Sequence, residues 1–225
     1  MTVDTSFADW LSAGGLQVRR RIRVLMLLDA ADYVLMSPIS ISRFHTLTFL
    51  ADVLSPIYDF SPISGRVLKR RAGPYFPDLQ WEIDRLVGLG LVVPSELTPI
   101  VEVENAYIEA SLSLDRDRTE KIIGIINSSE EFQGLRSFFR ELAGALSSIE
   151  DEELDAATQS DVTWERGHQG TIIDYAEWRA VNYSEQSADK INDFASSALG
   201  AESLDLSPGA RVNLYVQYLR HAAGG

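Results

Sequence analysis

The chain has 225 residues, 45% hydrophobic and 24% charged, which suffices to bury a core as one large domain or two small ones. It has no cysteine, which excludes disulfides, thiolate metal sites and a cysteine nucleophile. The net charge of −13 is uneven: residues 1–90 hold 10 Lys/Arg against 9 Asp/Glu, residues 91–225 hold 10 against 24, so only the second half has the acidity that repels nucleic acid.

Met1-Thr2-Val3-Asp4 has no basic segment leading into an apolar run, so no signal peptide is expected. The longest apolar stretches, such as Val24-Leu25-Met26-Leu27-Leu28, are far too short to span a bilayer. The expectation is a cytoplasmic protein with no membrane partner.

Residues 1–15 end in Ala13-Gly14-Gly15 and read as a flexible arm. A helix is predicted over residues 16–35, with Val24, Leu27, Leu28, Ala31 and Leu35 at helical spacing. Its start carries Arg19, Arg20, Arg21 and Arg23, a candidate basic patch. Cations at a helix N-terminus oppose its dipole, so an acidic group, either Asp4 and Asp9 or a partner's, is expected to offset them.

Ser37-Pro38 breaks this helix, and Ser40 caps a second over residues 41–55. Phe44, Leu47, Leu50, Ala51 and Leu54 form its stripe, widened by Phe49 and Val53, so it is covered on more than one side. The next stretch is the most unusual: Gly65-Arg66-Val67-Leu68-Lys69-Arg70-Arg71-Ala72-Gly73-Pro74-Tyr75-Phe76-Pro77-Asp78 reads as a basic turn entering a helix. Pro77 suits a first helical turn, and Leu79, Ile83, Leu86 and Val87 give the apolar face. Gly88 and Gly90 end that helix before Leu91-Val92-Val93.

Residues 94–99 read as a loop, and residues 100–104 and 107–112 as two strands that pair around Asn105-Ala106 or form one interrupted edge strand. Beyond Asp115 the pattern turns helical. Ile122, Ile123 and Ile126 mark one helix; Phe132, Leu135, Phe139, Leu142 and Leu146 mark a longer one capped by Ser129. After the acidic run at residues 150–155, residues 156–183 mix polar residues with Trp164, Tyr175, Trp178 and Tyr183. Helices are predicted near residues 184–199 and after Ser207-Pro208, the last burying Val212, Tyr215, Val216 and Leu219. The fold class expected is α+β, mostly helical: a winged-helix-like domain with a small β-hairpin over residues 16–113, then a helical domain over residues 114–225.

Catalytic chemistry is hard to find. The three histidines, His45, His168 and His221, lie far apart in sequence, too few for a transition-metal site, and no G-x-S-x-G, H-E-x-x-H or P-loop occurs. His45 lies in an apolar helix and reads as a hydrogen-bonded core or groove histidine. No catalytic residue, metal ligand or cofactor is assigned, and the chain is not expected to be an enzyme.

The basic turn leaves three readings open. Arg66, Lys69, Arg70 and Arg71 neutralise phosphates; or, with Tyr75, Phe76 and Trp81, they dock on a protein; or the aromatics are core. Asp78, Glu82 and Asp84 against a single Arg85 argue against the following helix reading a DNA groove.

Taken together, residues 39–52, Pro62-Ile63-Ser64-Gly65, Lys69-Arg70-Arg71-Ala72-Gly73-Pro74-Tyr75-Phe76 and residues 79–86 resemble the middle component of bacterial three-component ABC-ATPase conflict systems. These include the accessory subunit of Lamassu-type antiphage defence. The likeness covers residues 20–95, with a weaker echo in residues 210–219. It implies a non-catalytic adaptor that binds an SMC-like ABC ATPase dimer and a nuclease-type effector subunit. The effector is held inactive until foreign DNA is sensed, and DNA is reached through the complex. The resemblance supplies no contact residues; Arg66, Lys69, Arg70, Arg71, Tyr75 and Phe76 are chosen from their chemistry. A looser likeness to SocA-type antitoxin domains keeps an antitoxin-like or transcriptional regulator as the alternative. A metal-dependent nuclease using the acidic half is a second rival.

Overall fold

Phe7–Tyr33 form the first helix, α1, in a computed structural model that describes residues 7–60, 66–70, 73–101, 106–151, 153–154, 158, 172–174 and 206–224. Helical backbone thus starts inside the segment expected to be an arm. It is interrupted at Gly15 (φ 69°, ψ −166°), a conformation open to glycine because it lacks a Cβ. From Val24 to Ala31 every residue of α1 is buried, so this helix runs through the middle of the protein.

The Ser40 hydroxyl accepts a hydrogen bond from the Arg43 N–H (3.1 Å) and starts α2 (Ile41–Leu54) where the sequence places it. Residues 44–54 are all buried, the polar His45, Thr46, Thr48 and Asp52 included, so this helix is covered on more than one side. Arg43 sits at the exposed start of α2 and reaches α5 (Glu130–Leu146). Its guanidinium donates to the carbonyls of Leu146 (2.9 Å) and Ile149 (2.6 Å) and pairs with Asp151. The last carbonyls of a helix lack internal donors, so a cation there satisfies them and meets the negative end of the dipole. Arg43→Ala is expected to destabilise the fold by about 2 kcal/mol. Urea unfolding would show the midpoint falling with an unchanged slope.

The basic segment is a β-hairpin rather than a turn. Strand β2 (Arg66–Arg70) pairs antiparallel with β3 (Gly73–Tyr75), with Lys69 opposite Pro74. The strand period was hidden because charged residues occupy both faces, and only Val67 is fully buried. Gly73 has φ 109°, so the return strand starts at a residue that needs to be glycine. The other side of β2 pairs with a strand at Ile172–Asp174, Val67 lying opposite Ile173. That strand lies in the half expected to be helical.

Helix α3 (Pro77–Gly88) follows, burying Leu79, Glu82, Ile83 and Leu86. The second sheet has the order β1-β5-β4, from β1 (Ile39–Ser40), β4 (Val92–Val101) and β5 (Ala106–Leu114). The pairing of Val101 with Ala106 decides for a hairpin. The expected loop at residues 94–99 is part of β4, with a register shift between Ser95 and Thr98. Two prolines suggested a break, but β4 is an edge strand, where a missing N–H is tolerated. Glu96 takes φ 53° in the bulge, and its carboxylate accepts from the Ser111 hydroxyl at 2.7 Å.

Asp115 caps α4 (Arg116–Ser128) by accepting from the Arg118 N–H at 3.1 Å. In α5, Phe132, Leu135, Phe139, Leu142 and Leu146 are all buried, joined by Phe138. This seam packs on α1, α2 and the last helix (Pro208–Gly224), which buries Val212, Tyr215, Val216 and Leu219. One hydrophobic cluster therefore extends from Val24 to Leu219 and draws on both sides of residue 113. The first sheet, β3-β2 with the strand at Ile172–Asp174 as β6, also joins the two halves. The helix expected near residues 184–199 and the aromatic residues Trp164, Tyr175, Trp178 and Tyr183 lie outside the described residues. The architecture is α+β and mostly helical. Among the described residues no helix is long and apolar enough to cross a membrane.

Candidate interaction surfaces

The basic hairpin gathers part of the candidate set. Arg66 is exposed at the start of β2, while Lys69 and Arg70 are half-buried. The Arg70 guanidinium lies 3.3 Å from the centre of the Tyr75 ring, a cation–π pair across the hairpin. Tyr75 is half-buried, so this pair can still meet another molecule from its outer side. Phe76 is fully buried and belongs to the core, not to a contact surface. Arg71 lies outside the described residues.

The arginines of α1 have a different fate. Arg20 pairs with Asp78 (3.0 Å) and Arg21 with Glu82 (2.5 Å), so the acidic counterpart of α1 is α3. Glu82 is 1% exposed and also meets Arg85 at 3.5 Å. A buried carboxylate is tolerated only with such partners. Arg23 is largely buried, and burial lowers its pKa while the nearby Asp52 carboxylate works against that. Of the four, only Arg19 is exposed. The signal was present in the sequence: Asp78 and Glu82 are four residues apart and share a helix face, as two neighbouring arginines on α1 could match. Asp4 is outside the described residues, as is the Asp9 side chain.

His45 sits between these surfaces. It is 1% exposed; its Nδ1 accepts from the Phe76 backbone N–H (3.3 Å), and its Nε2 lies 3.0 Å from Gln80 Oε1. Nδ1 acts as an acceptor, so the proton of the neutral ring is on Nε2 and is donated to Gln80. Burial pulls its pKa down to about 4; the Gln80 hydrogen bond works the other way and the Arg70 charge adds to the fall. His45 therefore locks the entrance of α3 to α2. The Gln80 partner was invisible in the sequence, because it comes from another helix.

Several apolar side chains face outward near α3 and the β4–β5 hairpin: Trp81, Leu89, Val93, Leu97, Val101 and Ile108. Ile108 has the same strand parity as buried Ala110, Leu112 and Leu114, and it pairs with Pro99. The core-facing side of the hairpin thus continues past the core into solvent. Among the described residues no three of His, Asp or Glu cluster as a metal site, and His168 is not described. No family model matches the chain, and no curated protein or solved structure is significantly similar to it.

Proposed function

We propose that this chain is the non-catalytic accessory subunit of an SMC-like ABC ATPase antiphage defence complex of the Lamassu type. In this reading it bridges the ATPase dimer and a nuclease-type effector in the cytoplasm, holding the effector until foreign DNA is sensed. The resemblance of residues 20–95 suggests the system. Apart from the β2–β3 hairpin set between α2 and α3, the order α1-β1-α2-α3-β4-β5, with sheet order β1-β5-β4, supports a winged-helix reading of the same region.

The observation that carries the adaptor over a DNA reader is the state of α3. Its acidic residues Asp78 and Glu82 are bound by arginines of α1, and its outer side carries Trp81 with one acid, Asp84, and one base, Arg85. A helix entering a major groove needs donors and positive charge. This one offers an aromatic and no net charge, a composition suited to protein contact. The overhanging Pro99, Val101 and Ile108 and the Arg70–Tyr75 pair offer further contact area on a scaffold with a large core.

Co-purification tests this. Tagged chain expressed with its neighbouring genes is expected to bring down a large coiled-coil ATPase and a nuclease at physiological salt. Arg70→Glu with Ile108→Asp is expected to reduce recovery of at least one of them by about tenfold, as loss of an interface hot spot does. Recovery of neither partner with the wild-type chain would sink the proposal. Salt-sensitive, sequence-specific duplex binding by the isolated chain would favour the regulator instead.

A further inference from the structure

Helix α3 has an inner and an outer side with different assignments. Leu79, Glu82, Ile83 and Leu86 face inward, and Asp78 and Glu82 are occupied by α1. Pro77, Trp81, Asp84, Arg85 and Gly88 are exposed, with Leu89 next to them. Trp81 is 62% exposed, unusual for so large an apolar side chain. The Arg85 guanidinium lies 5.6 Å from the Trp81 ring centre, and Asp84 accepts from the Gln80 amide at 2.9 Å.

Gly88 is the informative residue. A Cβ built there meets nothing within 4 Å, and its φ is not positive. Among the described residues neither packing nor backbone geometry asks for glycine. The nearby positive φ that does require it belongs to Gly90 (φ 68°). Gly88 is the last residue of α3, where glycine costs at most the roughly 1 kcal/mol relative to alanine of a helix interior. A small residue on an open surface makes sense if another surface comes close.

We propose that this face of α3 pairs with the same face of a second copy, antiparallel across a two-fold axis. Place the axis beside the midpoint between Asp84 and Arg85. Asp84 then lies against Arg85 of the second copy, and Arg85 against its Asp84. By the same spacing Trp81 lies over Gly88 of the second copy, and the reverse. Positive meets negative and the largest side chain meets the smallest, twice, about one axis. An isologous contact demands this self-complementarity, which is why a second copy is the occupant.

The helix has 12 residues and is about 18 Å long, and Leu89 and Val93 extend the patch only slightly. The contact falls below about 1,000 Å², so the dimer is transient, with a Kd on the order of tens of micromolar. The proposal gives a second copy the α3 face that the adaptor reading counts as protein-contact surface; its test uses the chain alone, so it can fail without the adaptor reading failing.

Sedimentation equilibrium of the purified full chain, from about 5 to about 500 µM, tests it. The mass is expected to rise with concentration toward twice the monomer value. Asp84→Arg and Arg85→Asp singly set like charges against each other and are expected to raise the Kd at least about tenfold; the double reversal restores it. Trp81→Ala is expected to weaken it by a similar factor, and Gly88→Phe to abolish it. Asp84→Arg, Trp81→Ala and Gly88→Phe change exposed positions, so circular dichroism should be unchanged; Arg85→Asp also removes a partner of buried Glu82, so its Kd is judged against the double reversal, which carries the same change. A monomer at every concentration overturns the proposal. So does a dimer indifferent to both single reversals, or one that the double reversal does not rescue.

Discussion

His45→Gln is expected to remove much of the acid sensitivity of this fold. In the native state His45 is buried and neutral with a pKa of about 4, against an ordinary value near 6.5 when unfolded. The depressed pKa means the unfolded chain binds the proton first as pH falls. Stability is therefore full above about pH 6.5, falls between about 6.5 and 4, and has lost its whole share below 4. That share is about 3 kcal/mol for a shift of this size. The difference between wild type and variant isolates the histidine. Urea unfolding at about pH 7.5 and about pH 4.5 should give a larger loss of stability for wild type than for His45→Gln. Equal losses would mean that His45 is not held neutral by its surroundings. Gln keeps an acceptor for the Phe76 N–H, so the variant tests titration rather than a missing hydrogen bond.

Phe139→Ala is expected to cost about 3–5 kcal/mol, a large share of the roughly 5–15 kcal/mol that a domain of this kind has. Phe139 is fully buried on α5, with the Phe138 ring 5.5 Å away, in the cluster that α1 and α2 also enter. Because that cluster is shared, the loss should appear as one cooperative transition moved to lower urea, reported equally by signals from both halves. A fragment of residues 16–113 is expected to lack such a transition, since α1 would lose its cover from α4 and α5. Two separate transitions in the variant, or a cooperative fragment, would show that the halves fold on their own.

Elements with a strong helical period were legible from the sequence. The Ser40 cap, the buried faces of α2 and α5 and the apolar side of the last helix follow from local pattern, because one face of each is continuous and apolar. The basic hairpin was not legible. Val67 is its only fully buried strand residue besides Pro74, and charges occupy most other positions, so no alternation stands out. Its partner strand at Ile172–Asp174 lies about a hundred residues away, beyond any local signal. The bulge in β4 was misread because Pro94 and Pro99 punctuate loops and edge strands alike.

The surfaces divided in a similar way. Composition identified Arg66, Arg70 and Tyr75 as chemically unusual, and Arg70 and Tyr75 lie together. Phe76 could not be told from an exposed aromatic, since the residue before a helix-starting proline can point either way. The α1 arginines looked like a patch because their partners, Asp78 and Glu82, come from another helix. Long-range pairing of charge is where a single sequence says least.

The prolines in β4 bear on more than local geometry. The sheet order β1-β5-β4 leaves two rims: one is a two-residue strand, and the other carries Pro94, Pro99 and an irregular register. Neither rim is a good template for an added strand, because donors are missing and the ladder is broken. This sheet is thereby guarded against edge-to-edge growth into fibrils, even with Val101 and Ile108 exposed beside that rim. Any assembly built on this sheet must be held by side chains, which can be reversed, rather than by a continuous run of main-chain bonds.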